Sequence, residues 1–494
     1  MSKPNTFAAH GFSDRFAPRD FVSEDPHARR SVSAKSASPS NIAGGLAAHL
    51  GLFDAILVVM GGIVGSGIFI NPHVVATLVH TPVLILGAWV AGGAFALVGA
   101  FVYAELADRI PKVGGQYAYL HEAIHPLIGF LFGWSYLLVI GAGGTAAVAV
   151  TCAKYLRQLT AVPVTENLLA VALVVALVIV NCLGVRAGSG VQSLLMVLRI
   201  LAIALIVAGG AWYVTHSSGA PPSAWRPVLD RPVSLSLLSV FGASLVPVLF
   251  AYGGWESSNF IATEIRDPRK NLPRALVLGV AGVLVLYLSV NLIYVLVLTP
   301  AGLAATDTPA SVVMNRTLGG WGASVISVAI VISTLGFLSQ AMLAYPRLYF
   351  AMAEGAGLPS RFARVSKRSR APVAAIVLQG CVTLAVVLLG TYEEILSYVV
   401  VLDWLFFGLT AASLFVLRRR DRRSLSPDAA AAARYRVPGH PWTTGLFTFI
   451  AGLMVFNTIY KYPRNAGIAM CILFAGIPFY YLSRGRTQRP ASSE

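Results

Sequence analysis

Long apolar runs separated by short polar segments fill most of the chain between residues 52 and 483. A helix that crosses a membrane needs about 20 mostly apolar residues. The runs have about that length and contain few charged residues, so they predict membrane-spanning helices rather than strands. The pattern indicates an all-α polytopic membrane protein with twelve transmembrane helices, at roughly 52–78, 82–108, 126–152, 165–182, 188–214, 237–262, 275–298, 321–349, 372–390, 394–416, 442–460 and 467–483.

The two ends of the chain are polar. Residues 1–50 are basic and rich in Ser and Pro, and they contain no apolar stretch typical of a signal peptide. They predict a disordered cytoplasmic N-terminal tail. Residues 484–494 predict a short C-terminal tail, so the membrane domain is expected to occupy 51–483.

Composition and charge agree with a membrane protein and indicate its orientation. Of 494 residues, 56% are hydrophobic and only 12% are charged, against about 25% charged in an average soluble domain. Of the 37 Lys and Arg residues, 29 lie on the side of the N-terminal tail and 7 on the opposite side. Cytoplasmic loops carry the excess of Lys and Arg, so both termini are expected in the cytoplasm, with the chain in the cytoplasmic (inner) membrane.

The net charge of +16 also raises the question of nucleic acid binding. A groove for nucleic acid needs basic residues interleaved with aromatic ones. The sequence has no such cluster, so the charge is better explained by membrane topology, and no nucleic acid partner is expected. Membrane lipid is the only partner that the pattern of apolar runs requires.

The first and sixth runs are interrupted by glycine. The first contains GGIVGSGIF at 61–69, and the sixth contains Pro247 and the pair Gly253–Gly254. Two broken helices five spans apart are typical of transporters built from inverted repeats. The pattern therefore predicts a 5+5 inverted repeat with helices 1 and 6 discontinuous, repeats at about 51–214 and 237–417, and extra helices over 442–483. The alternative is close helix packing, because Gly61 and Gly65 also match a small-xxx-small interface.

Four stretches together resemble a known superfamily. They read GGIVGSGIFINP, YAELADRIPKVGGQYAYLHEA, FAYGGWESSNFIATEIRDPRKNLPRA and YRVPGHPW. In order and spacing they are similar to the amino acid–polyamine–organocation superfamily, and most of all to the L-type amino acid transporters and their bacterial relatives. The resemblance runs over about 50–483. It implies the inverted-repeat fold of that superfamily, free amino acids as substrates, and transport that is often exchange.

The resemblance also implies a substrate site made largely of backbone groups at the two breaks. Ser66 and Gly67 would offer N–H groups to the substrate carboxylate, and Gly65 would permit the unwinding. The α-amino group would face Ile63 and the carbonyls of Phe250, Ala251 and Gly253. The whole implied set is Ile63, Val64, Gly65, Ser66, Gly67, Phe250, Ala251, Tyr252, Gly253 and Gly254.

Aromatic residues of the second break have implied roles of their own. Phe250 would be the gate over the substrate, and Tyr252 or Trp255 would shape the space for its side chain. Glycines at 253–254 and 141–144 leave room for the substrate side chain, and the pocket that would face this side chain is expected to carry few charges. Small or medium neutral amino acids are therefore the expected substrates.

Two charged residues inside the apolar runs are candidates for gating or coupling. Arg199 lies in the middle of the fifth run, where the resemblance implies a lysine that stands where sodium-coupled relatives bind a cation. A guanidinium effectively never loses its proton, which favours exchange without sodium or proton coupling, although Arg199 could simply tie helices together. Glu256 follows the second break and could orient the broken helix or titrate.

Two further acidic residues have less specific interpretations. Glu105, near the cytoplasmic end of the second run, is expected to anchor a loop. Asp403, in the tenth run, leaves proton handling open.

The remaining residues limit partners and cofactors. Cys152, Cys182, Cys381 and Cys471 are far apart inside apolar runs and are expected to be packed thiols. No metal site and no cofactor are expected. Animal L-type transporters pair with a glycoprotein through a cysteine after the third span, but RQLTAVPVTENLL has none. We therefore expect no disulfide-linked heavy chain, and a monomer or weak homo-oligomer.

These observations leave three functional hypotheses. The first is a sodium-independent exchanger of neutral L-amino acids, and the protein is not expected to be an enzyme. The second is a proton-coupled amino acid symporter of the same fold. The third, more remote, is a non-transporting receptor or a channel-like protein, although the sequence has no pore-loop signature.

Overall fold

The computed structural model describes residues 50–160, 164–183, 188–216, 225, 227–230, 232–355, 357–366, 369, 371–390, 392–424 and 435–487. The predicted N-terminal tail up to residue 49 lies outside them. The described chain is helical, with one isolated bridge between Leu50 and Ile265. Its helices, numbered in chain order, are α1 (Leu52–Ile63), α2 (Gly67–Leu78), α3 (Pro82–Arg109), α4 (Gln116–Ala123), α5 (Pro126–Ser135), α6 (Gly141–Thr160), α7 (Glu166–Leu183), α8 (Gly188–His216), α9 (Leu235–Tyr252), α10 (Pro268–Ala304), α11 (Pro309–Glu354), α12 (Val373–Leu389), α13 (Tyr392–Ser424), α14 (Trp442–Lys461) and α15 (Pro463–Thr487).

The helices account for the predicted apolar runs. Ten helical segments of the described chain are long and apolar enough to span a membrane, and the number is eleven if α1 and α2, which are bent by 40° at their break, are counted as one span. The ninth predicted run corresponds to α12, which is apolar but has only 17 residues. Each of the twelve predicted runs thus overlaps a helix, although α12 falls short of the usual spanning length. At the end of the described chain, α15 continues to Thr487, into the predicted tail.

The first predicted break is present. Helix α1 ends at Ile63, and α2 begins at Gly67 after a short non-helical segment. Val64 has a non-helical backbone conformation at the end of α1. The cost of glycine in a helix interior is therefore not incurred at Gly65, because the helix stops there.

The second predicted break is present as well. Helix α9 ends at Tyr252, and a 3₁₀ segment (Trp255–Glu264) begins after Gly254. Gly254 has a φ of 98°, in the left-handed region that favours glycine. Pro247 lies inside α9 and removes one backbone donor.

The other helices surround the two breaks. Helix α3 packs along α10, and α11 packs against α6 and α8. Helix α1 contacts α10 and the 3₁₀ segment, while α2 lies against α9. A π-helical turn (Tyr136–Ile140) joins α5 to α6; such turns are frequent at functional sites. The four half-helices of the breaks therefore sit inside the bundle.

Glu105 anchors a loop, as its position in the sequence suggested. Its carboxylate is fully buried and accepts hydrogen bonds from Nε of Arg418 at 2.9 Å, from Nε of Arg109 at 2.9 Å and from the backbone N–H of Val437 at 2.8 Å. Arg109 also pairs with Asp421. The group joins α3 to α13 and to the segment that precedes α14.

We expect Glu105→Gln to lower the stability of the protein strongly. Removing one partner of a buried ion pair costs about 3–5 kcal/mol, because the remaining charges lose their compensation. The melting temperature of the purified protein in detergent measures the effect. Glu122→Gln is the matched control, because Glu122 pairs with Lys112 at an exposed site, where a pair contributes about 1 kcal/mol or less. Equal melting temperatures for the two variants would contradict this role.

The prediction for the cysteines was half wrong. Cys152 is buried and Cys182 is half-buried, but Cys381 and Cys471 are exposed. Both exposed thiols lie on apolar helices, α12 and α15, whose outer faces carry other exposed apolar side chains. An apolar run does not distinguish the inner face of a helix from its outer face in a membrane protein.

Candidate functional site

A single cavity connects the two helix breaks. It has about 580 Å³ of space, including its mouth. Residues from α1, α2, α6, α9, α11, α13, the π-helical turn and the 3₁₀ segment line it: Ile63, Gly65, Ser66, Gly67, Tyr136, Ile140, Gly144, Val148, Leu249, Phe250, Ala251, Gly253, Gly254, Glu256, Phe337, Tyr345, Val399, Val400, Asp403 and Trp404. This lining contains no Lys, Arg or His.

Glycines at the two breaks allow the backbones to touch. A Cβ at Gly67 would lie 2.6 Å from Cα of Ala251, and a Cβ at Gly62 would lie 2.6 Å from the carbonyl oxygen of Gly254. A Cβ at Gly254 would lie 2.1 Å from the carbonyl oxygen of Gly62. Real Cβ atoms essentially never approach other atoms so closely. The half-helices of one break therefore pack backbone to backbone against those of the other.

The start of α2 presents free donors to the cavity. Gly65 and Phe69 use their N–H groups in local hydrogen bonds, at 2.8 Å to Ile63 and 3.0 Å to Ser66. No such bond is found in the described chain for the N–H groups of Ser66 and Gly67. The hydroxyl of Ser66, which is 1% exposed, also lacks a hydrogen-bond partner among the described residues. A helix N-terminus with free donors is suited to an anion.

Arg199 lies at the opposite end of the break, against the carbonyls that terminate α1. The residue is 2% exposed, and its Nη1 donates to the carbonyl oxygens of Gly61 at 2.9 Å and Val64 at 3.3 Å. A Cβ at Gly336 of α11 would lie 2.3 Å from its Nη2. The guanidinium thus occupies the space between α1, α8 and α11, and its positive charge complements the C-terminal dipole of α1.

Tyr287 of α10 connects the carbonyl ends of both breaks. Its buried hydroxyl lies 3.2 Å from the carbonyl oxygen of Ile63 and 3.2 Å from that of Ala251. Gln340 of α11 adds a bond from its Nε2 to the carbonyl oxygen of Val58 at 2.8 Å. Tyr287 therefore satisfies carbonyl groups at the ends of the two broken helices, as a membrane interior requires, and Gln340 adds a side-chain bond to a carbonyl within α1.

Two carboxyl groups face the cavity. Glu256, 2% exposed, accepts a hydrogen bond through Oε2 from the backbone N–H of Gly254 at 2.9 Å. Asp403 of α13 is 9% exposed, and its Oδ1 has no hydrogen-bond partner among the described residues. Its Oδ2 would lie 3.9 Å from a Cβ at Gly253. The cavity is therefore more acidic than the sequence indicated.

The structure brings most of the predicted site residues together. Nine of them line the cavity: Ile63, Gly65, Ser66, Gly67, Phe250, Ala251, Gly253, Gly254 and Glu256. Val64 and Arg199 lie behind it at the end of α1. Tyr252 and Trp255 instead line a smaller pocket that adjoins the cavity. The ring centre of Tyr252 lies 5.8 Å from that of Trp89 and 5.1 Å from that of Tyr287.

The sequence did not reveal the other half of the cavity. The residues it missed come from unbroken helices and the π-helical turn, and include Tyr136, Phe337, Tyr345 and Trp404. Aromatic residues in apolar runs give no sign of which face they occupy. Asp403 was a candidate from the sequence, because a charge inside an apolar run is unusual, but the sequence did not place it in this cavity.

Comparison with known proteins shows extended similarity. The profile of a family described as amino acid permease matches residues 50–481. The large neutral amino acids transporter small subunit 2 of Rattus norvegicus is 31% identical over 464 residues, which cover 92% of this chain and 84% of that protein. The human Asc-type amino acid transporter 1 is 30% identical over 445 residues, 88% of this chain and 82% of that protein. The serine/threonine exchanger SteT of Bacillus subtilis (strain 168) is 28% identical over 457 residues, 91% of this chain and 99% of that protein.

Proposed function

Because the chain belongs to the amino acid permease family, we propose that it moves neutral L-amino acids across the cytoplasmic membrane by sodium-independent, alternating-access exchange. The relatives are named as amino acid transporters, and one of them as an exchanger. The cavity between the two breaks is the proposed substrate site. The single observation that carries the proposal is that free backbone donors and helix-terminal carbonyls meet in this one cavity.

The proposed orientation of the substrate follows from these groups. Its carboxylate binds the N–H groups of Ser66 and Gly67 at the positive end of α2. Its α-amino group faces the carbonyl oxygens of Ile63 and Ala251, which share the single hydroxyl proton of Tyr287. Because the Ile63 carbonyl also accepts from the Gly65 N–H, the Ala251 carbonyl has the greater remaining acceptor capacity. The side chain then extends towards Glu256, Asp403 and Trp404. Phe250 remains the proposed gate.

Arg199 supports sodium independence. Its guanidinium already fills the space at the carbonyls of Gly61 and Val64, and a fixed positive charge there repels a sodium ion. The carbonyl oxygens of Gly61 and Val64 are therefore already occupied by Arg199 and are not available to a coupling cation.

The topology belongs to the same proposal. We propose twelve spans in a 5+5 inverted repeat, with α12 as the ninth span and both termini in the cytoplasm. The two breaks, in the first and sixth spans, support the repeat. We further propose that the protein works without a disulfide-linked heavy chain.

Exchange can be tested with purified protein in liposomes. We expect rapid uptake of labelled leucine or alanine into liposomes preloaded with an unlabelled neutral amino acid, and uptake near the background of protein-free liposomes when the lumen holds none. Replacing sodium by potassium is expected to leave the rate unchanged. Concentrative uptake into empty liposomes under an imposed pH gradient would instead establish the proton-coupled symporter, which the carboxyl groups of Glu256 and Asp403 make the second candidate.

A further inference from the structure

Glu256 and Asp403 put two carboxyl groups in one cavity without a basic side chain to balance them. They come from different elements, the 3₁₀ segment and α13, so no local constraint forces them together. Glu256 accepts a hydrogen bond from the backbone N–H of Gly254, whereas Oδ1 of Asp403 has no partner among the described residues although Asp403 is 91% buried. A buried charge is normally paired or neutralised. An unsatisfied acidic oxygen facing a cavity points to a missing positive charge.

The groups around the pair do not supply that charge. Tyr136 and Tyr345 line the cavity, with ring centres 5.1 Å apart, and the ring centre of Tyr103 of α3 lies 4.6 Å from that of Trp255, next to Glu256 in the chain. A neutral tyrosine can donate a hydrogen bond but brings no charge. Arg199 is bound instead to the carbonyls at the end of α1.

We propose that the Glu256–Asp403 pair is a site for one positive charge, which is a proton when the substrate is neutral and the side-chain ammonium when the substrate is a cationic amino acid. The inference rests on the proposed function, because it assigns the pair to the side-chain end of the same substrate site. Two neighbouring carboxylates disfavour double ionisation, so they retain one shared proton. An ammonium group with three donors replaces that proton and bonds both carboxylates.

The binding affinities of neutral and cationic amino acids are expected to depend on pH in opposite directions. A neutral amino acid needs the protonated pair, so its affinity falls as the pH rises, by up to tenfold per pH unit once the shared proton is lost. A cationic amino acid competes with the proton, so its affinity rises over the same range. Exchange of internal leucine for external lysine is then electroneutral and releases one proton outside for each lysine that enters.

Binding measurements in detergent test the pair independently of transport. In weakly buffered solution, lysine is expected to release protons as it binds to the purified protein at a pH at which the pair holds its shared proton. Leucine is expected to take up protons at a higher pH, at which the free pair has lost that proton. Isothermal titration at pH 5.5, 7.0 and 8.5 gives the two affinities. The proton-release stoichiometry of lysine–leucine exchange in liposomes, recorded with a pH-sensitive dye, is the transport readout.

Nearly isosteric variants separate charge from packing. Glu256→Gln keeps an oxygen for the Gly254 N–H, and Asp403→Asn keeps the volume. Either single change is expected to move the pH dependence to more acidic values, because the remaining carboxyl has no like charge beside it. The double variant is expected to bind leucine independently of pH and to bind lysine at least tenfold more weakly. Asp307→Asn, at an acid with a 57% exposed side chain, is the control and should behave like the wild type.

The outcomes distinguish this inference from the proposed function. Leucine exchange with no pH dependence of binding, or proton signals of the same sign for leucine and lysine, would overturn the one-charge site and leave neutral exchange intact. Opposite proton signals without any exchange would support the site and overturn the proposed exchanger. Absence of binding by every amino acid would overturn both.

Discussion

Replacing Gly67 by leucine is expected to abolish amino acid exchange, and even Gly67→Ala is expected to weaken substrate binding at least tenfold. A Cβ at this position would lie 2.6 Å from Cα of Ala251, which is backbone and cannot rotate away. The start of α2 must therefore move away from α9, and overpacking of this kind costs about 1–3 kcal/mol. The movement displaces the N–H groups proposed to bind the carboxylate. Exchange in liposomes and binding in detergent measure the loss.

Gly144→Ala is the matched control for Gly67. Gly144 lines the same cavity, but a Cβ there would meet nothing within 4 Å. We expect exchange within about threefold of wild type, since the methyl group removes little space and strains nothing. If Gly144→Ala were as damaging as Gly67→Ala, the cavity volume would matter more than the contact between α2 and α9.

Ser66→Ala separates the backbone from the hydroxyl. Ser66 Oγ has no partner among the described residues, so its loss leaves no protein group unsatisfied. The proposed contacts to the substrate carboxylate are backbone N–H groups, which alanine keeps, so the expected loss of affinity is tenfold or less. A loss as large as that of Gly67→Leu would show that the hydroxyl, not only the backbone N–H, holds the carboxylate.

The glycines of the first break serve two purposes that the sequence presented as alternatives. The small-residue interpretation expected close packing at Gly61 and Gly65, and the structure shows it at Gly62, which packs against Gly254. Gly65 and Gly67 line the cavity. Both interpretations therefore apply to one stretch, and at Gly67, which also packs against α9, both apply to the same residue.

The sequence predicted the helices and the breaks because each depends on local signals. Length and hydropathy define a span, and glycine pairs at matching places define the breaks. The far wall of the cavity depends on which face of an unbroken helix points inwards. Both Tyr287 and Trp404 are aromatic residues within apolar runs, and the sequence does not distinguish them. In the structure the hydroxyl of Tyr287 contacts the carbonyl ends of both breaks, whereas Trp404 lines the cavity.

Charge was the property for which the sequence was most misleading. Few charged residues near the breaks suggested an uncharged side-chain space. Asp403 lies about 150 residues after Glu256 in the chain, and only the packing of α13 brings it to the same cavity. Long-range packing of this kind has no signature in a single sequence.

Arg199→Met is expected to lower both stability and exchange severely. Methionine keeps much of the volume but donates nothing, so the carbonyl oxygens of Gly61 and Val64 lose their donor inside the bundle. A hydrogen bond to a charged group contributes about 1.5–3 kcal/mol, and losing two corresponds to a melting temperature lower by about 3–6 °C for a chain of this length. Because these carbonyls terminate α1 at the break, we also expect exchange to fall at least 100-fold.

Arg199→Lys and Arg316→Met show whether geometry or charge is responsible. Lysine restores the charge as a compact ammonium without the planar fork of guanidinium, so we expect partial recovery of stability and exchange. Arg316 donates to the carbonyl oxygen of Val297 at 2.8 Å, away from the cavity, and Arg316→Met should lower the melting temperature while leaving exchange near the wild-type rate. If Arg199→Met exchanged amino acids at that rate too, Arg199 would only tie helices together. If Arg199→Lys matched the wild type in both measurements, a positive charge at the end of α1 would be sufficient, and the two-carbonyl geometry of the guanidinium would not be required.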